Sequence, residues 1–285
     1  MTAPQLDRRP PAQACDPAPT RTDLTLLPGG RAGTASRPTR RAVLGDSTAV
    51  GIGDPVPGGG WRGFPILLRD ALGGAELTNL ARAGARMADV RAAQLPAALA
   101  GRPDVAVVCA GMNDTLRSDF DAAGIGADCA ATADALTAAG AHVLLLRYHD
   151  HTRVFRLPGP LQRALRARID ALNAALDVAA DRPGVSVLDL DRMPGGYEPA
   201  AWSVDRLHPS ERGHRLVADG LASLLAGTGH EVPATVALTC AGGRQVTAAH
   251  HAAWLLVKGV PWLVRRGRDL GPVIATGMVA GLRRA

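Results

Sequence analysis

The 285-residue sequence has five residues after apolar runs whose types support acyl-transfer chemistry. They are Ser47, Gly84, Asn113, Asp205 and His208. A serine hydroxyl is a poor nucleophile until a neighbouring base takes its proton. An aspartate three residues before a histidine can curl back so that its carboxylate accepts the Nδ1 proton, which leaves Nε2 to face a serine. Ser47, His208 and Asp205 are therefore the candidate nucleophile, base and orienting carboxylate.

Attack on an ester carbonyl places negative charge on its oxygen, and hydrogen-bond donors must already point there. The backbone N–H groups of Ser47 and Gly84 and the side-chain amide of Asn113 are candidates. Loss of one such donor typically costs about 2.7–4 kcal/mol of transition-state stabilisation. Taken singly, each of these residues also fits a helix cap or a turn, so the joint pattern indicates the chemistry. Asp46 and Asp114 are interpreted as supports of their turns.

These residues meet only if a sheet brings them to one edge, and the pattern that begins at Arg41 predicts such a sheet. The predicted strands are Ala42–Gly45, Glu76–Ala81, Asp104–Ala110, His142–Tyr148 and Val185–Leu190. The predicted helices between and after them are Trp61–Leu72, Arg86–Ala100, Asp121–Ala139, Leu161–Ala180 and Ser210–Ala226. Strict alternation predicts a parallel sheet covered by helices on both faces. Ligands of such sheets bind beyond the carboxyl ends of the strands, which is where the candidate residues fall.

Four segments at these strand ends resemble, in order, the signature blocks of the SGNH hydrolases, also called GDSL-type esterases and lipases. They are Gly45-Asp46-Ser47-Thr48, Asn79-Leu80-Ala81-Arg82-Ala83-Gly84, Gly111-Met112-Asn113-Asp114 and Asp205-Arg206-Leu207-His208-Pro209, and the resemblance covers about residues 41–226. Each block alone is short, whereas four in order are specific. Thr48 stands where the family has Leu or Ile, but that side chain is not a catalytic one.

The resemblance implies a fold and a set of roles. The fold is a flavodoxin-like three-layer α/β/α sandwich with a central parallel five-stranded sheet. The roles are Ser47 as nucleophile and oxyanion-hole member, Gly84 and Asn113 as further oxyanion-hole members, His208 as base and Asp205 as its orienter.

The function expected from these residues is that of a serine esterase, which hydrolyses a carboxylic (acyl or acetyl) ester through an acyl-enzyme intermediate. The substrate would be a small-molecule or lipid ester, and the chemistry needs no metal and no organic cofactor. Two alternatives stay open. The same triad could pass the acyl group to an acceptor other than water, which would make the protein an acyltransferase. The chain could also be a catalytically vestigial scaffold that binds a membrane surface or a partner, although the intact set of catalytic residues argues against this.

Two further segments are candidates for pocket lining. Trp61 and Phe64 follow a glycine-rich loop after the candidate nucleophile, and they either wall the acyl or alcohol pocket or anchor the loop as buried aromatics. His149 lies in Tyr148–His151, after the fourth predicted strand. Two histidines spaced by two with one carboxylate are a poor basis for a metal site, so we expect pocket lining or a solvated loop there.

Composition and charge bound the protein class. Hydrophobic residues make up 47% of the chain and charged residues 20%, which is typical of an ordered globular protein. The net charge of +6 arises from basic residues at the two ends, so nucleic-acid binding is not expected. The four cysteines lie far apart without a C-x-x-C pair, which indicates free thiols. Because there is no apolar signal-peptide core and no run of membrane-spanning length, we expect a cytoplasmic location.

The composition divides the chain into a flexible Pro/Arg-rich leader (1–40), a hydrolase domain (41–230) and a C-terminal helical extension (231–285). Within the extension, Ala252–Val264 carries Trp254 and Trp262 beside basic residues, and Pro261 interrupts it. Such a mixture can make peripheral contact with an anionic membrane surface. Because the pattern is short and interrupted, we expect the extension to pack on its own domain instead.

Overall fold

The computed structural model describes residues 38–74, 76–154, 157–241, 247–254 and 257. These residues contain a central sheet of five strands: β1 Arg40–Gly45, β2 Glu76–Asn79, β3 Val105–Cys109, β4 His142–Arg147 and β5 Val185–Asp189. Their order across the sheet is β2-β1-β3-β4-β5, and every neighbouring pair is parallel. This order places β1 between β2 and β3.

Unbroken apolar runs explain the central strands. Val105–Cys109 is buried along its whole length, as are Val43 and Leu44 of β1 and the leucines of β4. A parallel strand covered on both faces needs side chains of this kind at every position, not only at alternate ones. In contrast, β2 lies at the edge of the sheet and exposes Glu76 and Asn79.

Helices fill the connections between the strands. They are α1 Ser47–Val50, α2 Gly63–Ala71, α3 Met87–Asp89, α4 Leu95–Ala100, α5 Met112–Thr115, α6 Ala122–Ala138, α7 Gly159–Ala180, α8 Glu211–Gly227 and α9 Ala248–Trp254. A π-helical turn, Val90–Gln94, joins α3 to α4, and His151–Arg153 and Pro199–Ala201 form 3₁₀ turns.

Two pairs of helices cover the sheet. α2 packs against α8, and α6 packs against α7. The crossover from β1 to β2 runs in one direction along the sheet, and the later crossovers run in the other. Because crossovers of this kind are right-handed, the reversal places the two helix pairs on opposite faces. The result is a three-layer α/β/α sandwich, which confirms the predicted fold class.

The predicted strands are all present, with ends that differ by a residue or two. The second strand ends at Asn79 instead of Ala81 because the Asn79 side chain turns back at this point. Its amide donates to the Ala49 carbonyl at 2.8 Å, and its oxygen accepts the N–H of Ala81 at 3.1 Å. The side chain therefore closes the turn that leads to Gly84.

The predicted helix Arg86–Ala100 differs most from the structure, because it is divided into α3, the π-helical turn and α4. A π-helical turn holds an extra residue and shifts the helix face, a change that apolar periodicity does not reveal. α1 and α5 were not predicted either, since four residues are too few to show a helical period. The other predicted helices correspond to α2, α6, α7 and α8.

The start of β1 is fixed by an aspartate from another strand end. The Asp104 carboxylate accepts the N–H of Thr39 at 2.8 Å and that of Arg40 at 2.9 Å. β1 therefore begins two residues earlier than predicted, at Arg40. The predicted leader lies outside the described residues up to position 37.

The first part of the predicted C-terminal extension contacts the sandwich. Val236 is buried in the core, and the N–H of Ala234 donates to the Ala71 carbonyl at the end of α2. α9 ends at Trp254, and the rest of the predicted helix Ala252–Val264, apart from Val257, lies outside the described residues. Among the helices that the structure describes, none is long and apolar enough to cross a membrane.

A buried glutamine fixes the end of β1. The Gln94 side chain is 2% exposed and pairs with both backbone groups of Gly45. Its oxygen accepts the Gly45 N–H at 2.7 Å, and its amide donates to the Gly45 carbonyl at 3.0 Å. The side chain therefore supplies hydrogen bonds at the end of the strand, two residues before Ser47.

We expect Gln94→Leu to lower the free energy of unfolding by about 1–3 kcal/mol, because it leaves the buried Gly45 N–H without its acceptor. Urea unfolding followed by circular dichroism measures the change. Gln162→Leu is the matched control, since Gln162 is exposed on α7, and it should change stability by less than about 0.5 kcal/mol. Equal effects of the two substitutions would contradict a structural role for the Gln94 amide.

Candidate active site

Three side chains form one continuous chain of hydrogen bonds at the carboxyl end of β1. The Ser47 hydroxyl lies 2.8 Å from Nε2 of His208, and Nδ1 of His208 lies 2.6 Å from Oδ2 of Asp205. Ser47 begins α1 directly after β1, whereas Asp205 and His208 lie on the turn before α8. The structure thus brings together residues that are separated by about half of the chain.

Asp205 has hydrogen-bond donors on both carboxylate oxygens. Oδ1 accepts the hydroxyl of Ser203 at 2.5 Å and the N–H groups of Leu207 and His208 at 2.9 and 3.0 Å. Burial opposes ionisation, but the hydrogen bonds and the charge of His208 outweigh it and lower the pKa of Asp205 to about 2. An ionised Asp205 keeps the proton of His208 on Nδ1 and leaves Nε2 to accept the Ser47 hydroxyl.

Backbone contacts hold the turn that carries Asp205 and His208. The N–H of Ser203 donates to the His208 carbonyl at 2.9 Å, and Trp202 and Pro209 form an antiparallel bridge. Gly53 lies against this turn with φ of +107°, and a Cβ atom there would come within 1.9 Å of the Pro209 carbonyl oxygen. Only glycine therefore fits where the chain leaving the Ser47 helix passes the His208 turn.

The turn that carries Ser47 is held by Asp46. Its backbone N–H donates to the Cys109 carbonyl of β3 at 3.0 Å, and its side chain caps α1 by accepting the N–H of Thr48 at 3.0 Å. Asp46 is 3% exposed, and burial raises its pKa to about 7. This carboxyl group is thus a structural support of the turn whose charged form is costly in its buried site.

Gly84 and Asn113 lie on the two segments that flank the Ser47 turn. β1 lies between β2 and β3, so the segment after β2 and the segment after β3 face each other across it. The Asn113 amide donates one of its two protons to the Ala85 carbonyl at 3.1 Å, which ties the segments together. Gly84 is exposed with φ of +82°.

Asp114 also holds together the two segments that carry Gly84 and Asn113. Its buried carboxylate accepts Nε of Arg86 at 2.9 Å and the N–H of Met87 at 3.2 Å. Burial raises the pKa of Asp114 even though Arg86 and Met87 favour its charged form. Asp114 therefore joins α5 to α3, in keeping with its interpretation as a turn support.

The residues predicted to line a pocket have different positions. Trp61 is 41% exposed and pairs with Pro55 at the base of the glycine-rich loop. Phe64 is 0% exposed and its ring stacks with His214, so Phe64 has the position of a buried aromatic anchor, which is one of the two predicted alternatives. The reason is that Phe64 lies at the start of α2 and points into the contact between α2 and α8.

His149 is also an interior residue. It is buried, and its Nε2 lies 2.9 Å from Nδ1 of His151. His149 therefore does not lie in a solvated loop, and pocket lining by His149 stays a prediction. Within the described ranges, no group of three His, Cys, Asp or Glu side chains has the arrangement of a metal site.

Sequence reasoning missed residues that hold the site without belonging to a signature block. Ser203 donates to Asp205, and Gln94 pairs with Gly45. His214 accepts the N–H of Phe64 at 3.2 Å and donates to the Ile52 carbonyl at 3.0 Å. Ser203 alone carried a local signal, since a serine two residues before an aspartate can bond to it.

Comparison with known proteins identifies the class. A family model described as "GDSL-like Lipase/Acylhydrolase family" matches residues 43–216, which is more than half of the chain and lies within the predicted domain 41–230. The chain therefore belongs to this family, as the resemblance predicted, and it is an ester-acting hydrolase. No curated protein matches the sequence.

Solved structures share the fold at low identity. The acetylxylan esterase from Geobacillus stearothermophilus is 19% identical with a TM-score of 0.54, covering 69% of this chain and 96% of that chain. The psychrotrophic esterase EstA from Pseudoalteromonas, in a structure inhibited by monoethylphosphonate, is 18% identical with a TM-score of 0.51, covering 66% and 97%. The lipase/acylhydrolase from Enterococcus faecalis is 20% identical with a TM-score of 0.52, covering 66% and 96%.

Replacing the Asp46 carboxyl group by a neutral group is expected to raise stability by an amount that depends on pH. Its pKa is raised from 3.8 to about 7 in the folded protein, so its contribution to stability is full below pH 4 and is lost as pH rises to about 7. Asp46→Asn keeps the acceptor for Thr48 without the charge. We expect its stability relative to the parent to increase between pH 4 and 7, by up to about 4 kcal/mol.

Urea unfolding at half-unit pH intervals measures this difference. Asp104→Asn is the control, because the pKa of Asp104 is lowered to about 2, so its contribution is lost only as pH falls below 4, and its charged partner Arg40 does not titrate in this range. Between pH 4 and 7 its offset from the parent should stay constant. A constant offset for Asp46→Asn as well would show that Asp46 does not titrate in this range.

Proposed function

We propose that this protein is a serine esterase that hydrolyses a carboxylic (acyl or acetyl) ester through an acyl-enzyme on Ser47. The observation that carries the proposal is the hydrogen-bond chain from Ser47 through His208 to Asp205, with distances of 2.8 and 2.6 Å. These distances lie in the range over which a base takes a proton from a nucleophile. The family match supports ester chemistry of this kind.

In the acylation step, Ser47 Oγ attacks the carbonyl carbon of the ester while its proton passes to Nε2 of His208. The carbonyl π electrons move onto oxygen and form a tetrahedral oxyanion. When this intermediate collapses, the bond to the leaving oxygen breaks, and that oxygen takes the proton from Nε2. Asp205 stays ionised throughout and stabilises the imidazolium that forms.

In the deacylation step, water replaces the departed alcohol. His208 accepts a proton from this water as its oxygen attacks the acyl carbon, and the second tetrahedral intermediate expels Ser47 Oγ. The proton on Nε2 returns to Oγ, which restores the free enzyme and releases the carboxylic acid. The same base thus serves both halves of the reaction.

Charge on the two intermediates would be held by donors on three strand ends. We assign this role to the N–H groups of Ser47 and Gly84 and to the second amide proton of Asn113. The order β2-β1-β3 supports the assignment, because it places the Ser47 turn between the other two segments. The bond from Asn113 to Ala85 fixes the amide before the substrate arrives, which is the preorganisation that such stabilisation needs.

We expect an alkyl phosphonate ester probe to label Ser47 covalently, because phosphorus accepts attack only from an activated serine. The similar esterase EstA, in a structure inhibited by monoethylphosphonate, makes this class of probe a suitable choice. Intact-mass spectrometry should show one adduct on the parent and none on Ser47→Ala. Ser118→Ala is the control, since Ser118 is exposed on a loop outside the proposed triad, and it should label like the parent.

The substitution His208→Asn tests whether labelling of Ser47 depends on activation of its hydroxyl by a base. It should slow labelling by at least about 10²-fold, since the proton of Ser47 then has no base. Labelling of the parent that survives unchanged in Ser47→Ala would place the nucleophile elsewhere and end the proposal.

We expect Asn113→Ala to lower kcat for an aryl acetate by about 10²–10³-fold while KM changes little, because its amide binds the oxyanion and not the ground-state carbonyl. Steady-state kinetics measure both constants. Thr115→Val is the matched control on α5, since it removes a hydrogen bond to the Met112 carbonyl without touching an oxyanion donor. A normal kcat in Asn113→Ala would remove Asn113 from the site.

A further inference from the structure

A helix of the C-terminal extension contacts the turn that carries Asp205 and His208, which is called the acid–base turn below. Nδ1 of His251 in α9 lies 2.6 Å from the carbonyl oxygen of Val204, and His251 is partly buried there. A carbonyl oxygen can only accept a hydrogen bond, so Nδ1 of His251 must carry the proton. The bond therefore joins α9 to the residue directly before Asp205.

Two charged side chains of α8 hold the preceding part of the extension close to this turn. Glu211, the first residue of α8, accepts the N–H of Ala241 at 2.6 Å. The same carboxylate oxygen accepts Nε and Nη2 of Arg215 at 3.0 and 2.8 Å, and Nη1 of Arg215 donates to the Ala237 carbonyl at 2.6 Å. Glu211 and Arg215 are both buried. Because Glu211 closely follows His208 in the chain, these bonds hold the extension beside the acid–base turn.

The start of α9 is fixed by a capping box. The Thr247 hydroxyl accepts the N–H of His250 at 3.3 Å, and Nδ1 of His250 accepts the N–H of Thr247 at 3.3 Å. A serine or threonine cap paired with an acceptor side chain three residues later has this reciprocal pattern. The N–H of His251 donates to the Thr247 carbonyl at 3.1 Å, which closes the first turn of the helix. The box therefore sets where α9 begins and, with it, the position of His251.

The Val204 carbonyl belongs to the peptide unit that leads into Asp205. A peptide unit is planar, so a bond that holds its carbonyl oxygen also restricts the orientation of the N–H and Cα atom of Asp205. The Asp205 carboxylate accepts Nδ1 of His208 at 2.6 Å. Ser203 holds that carboxylate from within the turn, whereas the Val204 carbonyl takes its hydrogen bond from α9. Rotation of this peptide unit would move the carboxylate relative to His208.

We propose that His251 is a positioning residue for the acid–base turn, and that it fixes the peptide unit before Asp205 by donating from Nδ1 to the Val204 carbonyl. The C-terminal extension then keeps Asp205 aligned with His208, in addition to packing on the sandwich. Because His251 acts through Val204, its effect should fall on the chemical step and not on substrate binding. The inference rests on the proposed function, since Asp205 and His208 are the orienting carboxylate and the base of that reaction.

Two substitutions at His251 separate the hydrogen bond from the bulk of the ring. His251→Phe keeps an aromatic ring and removes the donor, whereas His251→Asn places an amide N–H near the position of Nδ1. We expect His251→Phe to lower kcat for an aryl acetate at least about 10-fold with KM unchanged within about twofold, because small displacements of a catalytic group slow the chemical step. His251→Asn should retain kcat within about threefold, since its amide replaces the Nδ1–H donor. The rate of phosphonate labelling should follow kcat in both variants.

His250→Gln is the matched control on the same helix. His250 is exposed, and its ring bonds to Thr247 of the cap. Glutamine supplies the acceptor that a capping box needs at this position, so α9 and kcat should both be retained. Equal losses of kcat in His250→Gln and His251→Phe would show that any change in α9 slows the reaction, and would contradict a specific role of His251.

The proton on His251 can be observed in the parent without any substitution. A long-range ¹H–¹⁵N correlation spectrum of histidine-labelled protein should show a proton on Nδ1 of His251. A neutral ring protonated on Nε2 alone would overturn the proposal, whether or not the variants fold.

Other kinetic outcomes are equally decisive. A normal kcat in His251→Phe, or equal losses in the Phe and Asn variants, would overturn the positioning role. A rise in KM with constant kcat would place His251 in substrate binding instead, and this too would contradict the proposal. Failure of the parent to label at Ser47 would refute the proposed function itself, whereas labelling at a rate that does not depend on residue 251 would refute only this inference.

Discussion

The hydrogen bond between the partly buried carboxylate of Asp205 and His208 is the interaction on which the site depends. Desolvation alone would raise the pKa of Asp205, but hydrogen bonds on both oxygens and the charge of His208 lower the pKa to about 2. Its charge fixes the His208 proton on Nδ1 and directs Nε2 toward Ser47. Because the Ser203 hydroxyl and two backbone N–H groups that stabilise the charge belong to the same turn, the folded turn and the ionised form of Asp205 stabilise each other.

Sheet topology then brings the remaining groups to this turn. β1 is central, with β2 on one side and β3 on the other, so the segments after three strands meet around Ser47. α8 packs on α2, which follows the Ser47 helix, and this contact brings the turn before α8 to the same edge. Segments that are far apart in the sequence therefore meet in one site because of the strand order.

The sequence predicted the fold and the proximity of Ser47, His208 and Asp205 because both leave local signals. Central strands are continuous apolar runs, and Asp205 and His208 are three residues apart, as a self-contained turn requires. The burial of Phe64 against His214 and the pairing of His149 with His151 depend on partners that only the packed structure supplies. The π-helical turn was not predicted for a related reason. Its effect is to direct Gln94 toward Gly45, a glycine that is far away in the chain.

At the carboxyl ends of the strands, side-chain amides take the place of the backbone hydrogen bonds that join neighbouring strands within the sheet. Gln94 pairs with Gly45, Asn79 donates to the Ala49 carbonyl, and Asn113 donates to the Ala85 carbonyl. Parallel strands stop pairing at this edge, so backbone groups that continue into the loops need other partners to remain buried. An amide offers a donor and an acceptor in one plane and therefore substitutes for a peptide group. A few polar side chains therefore set the shape of this edge. The shape of the edge can change while the hydrophobic core and the fold stay the same.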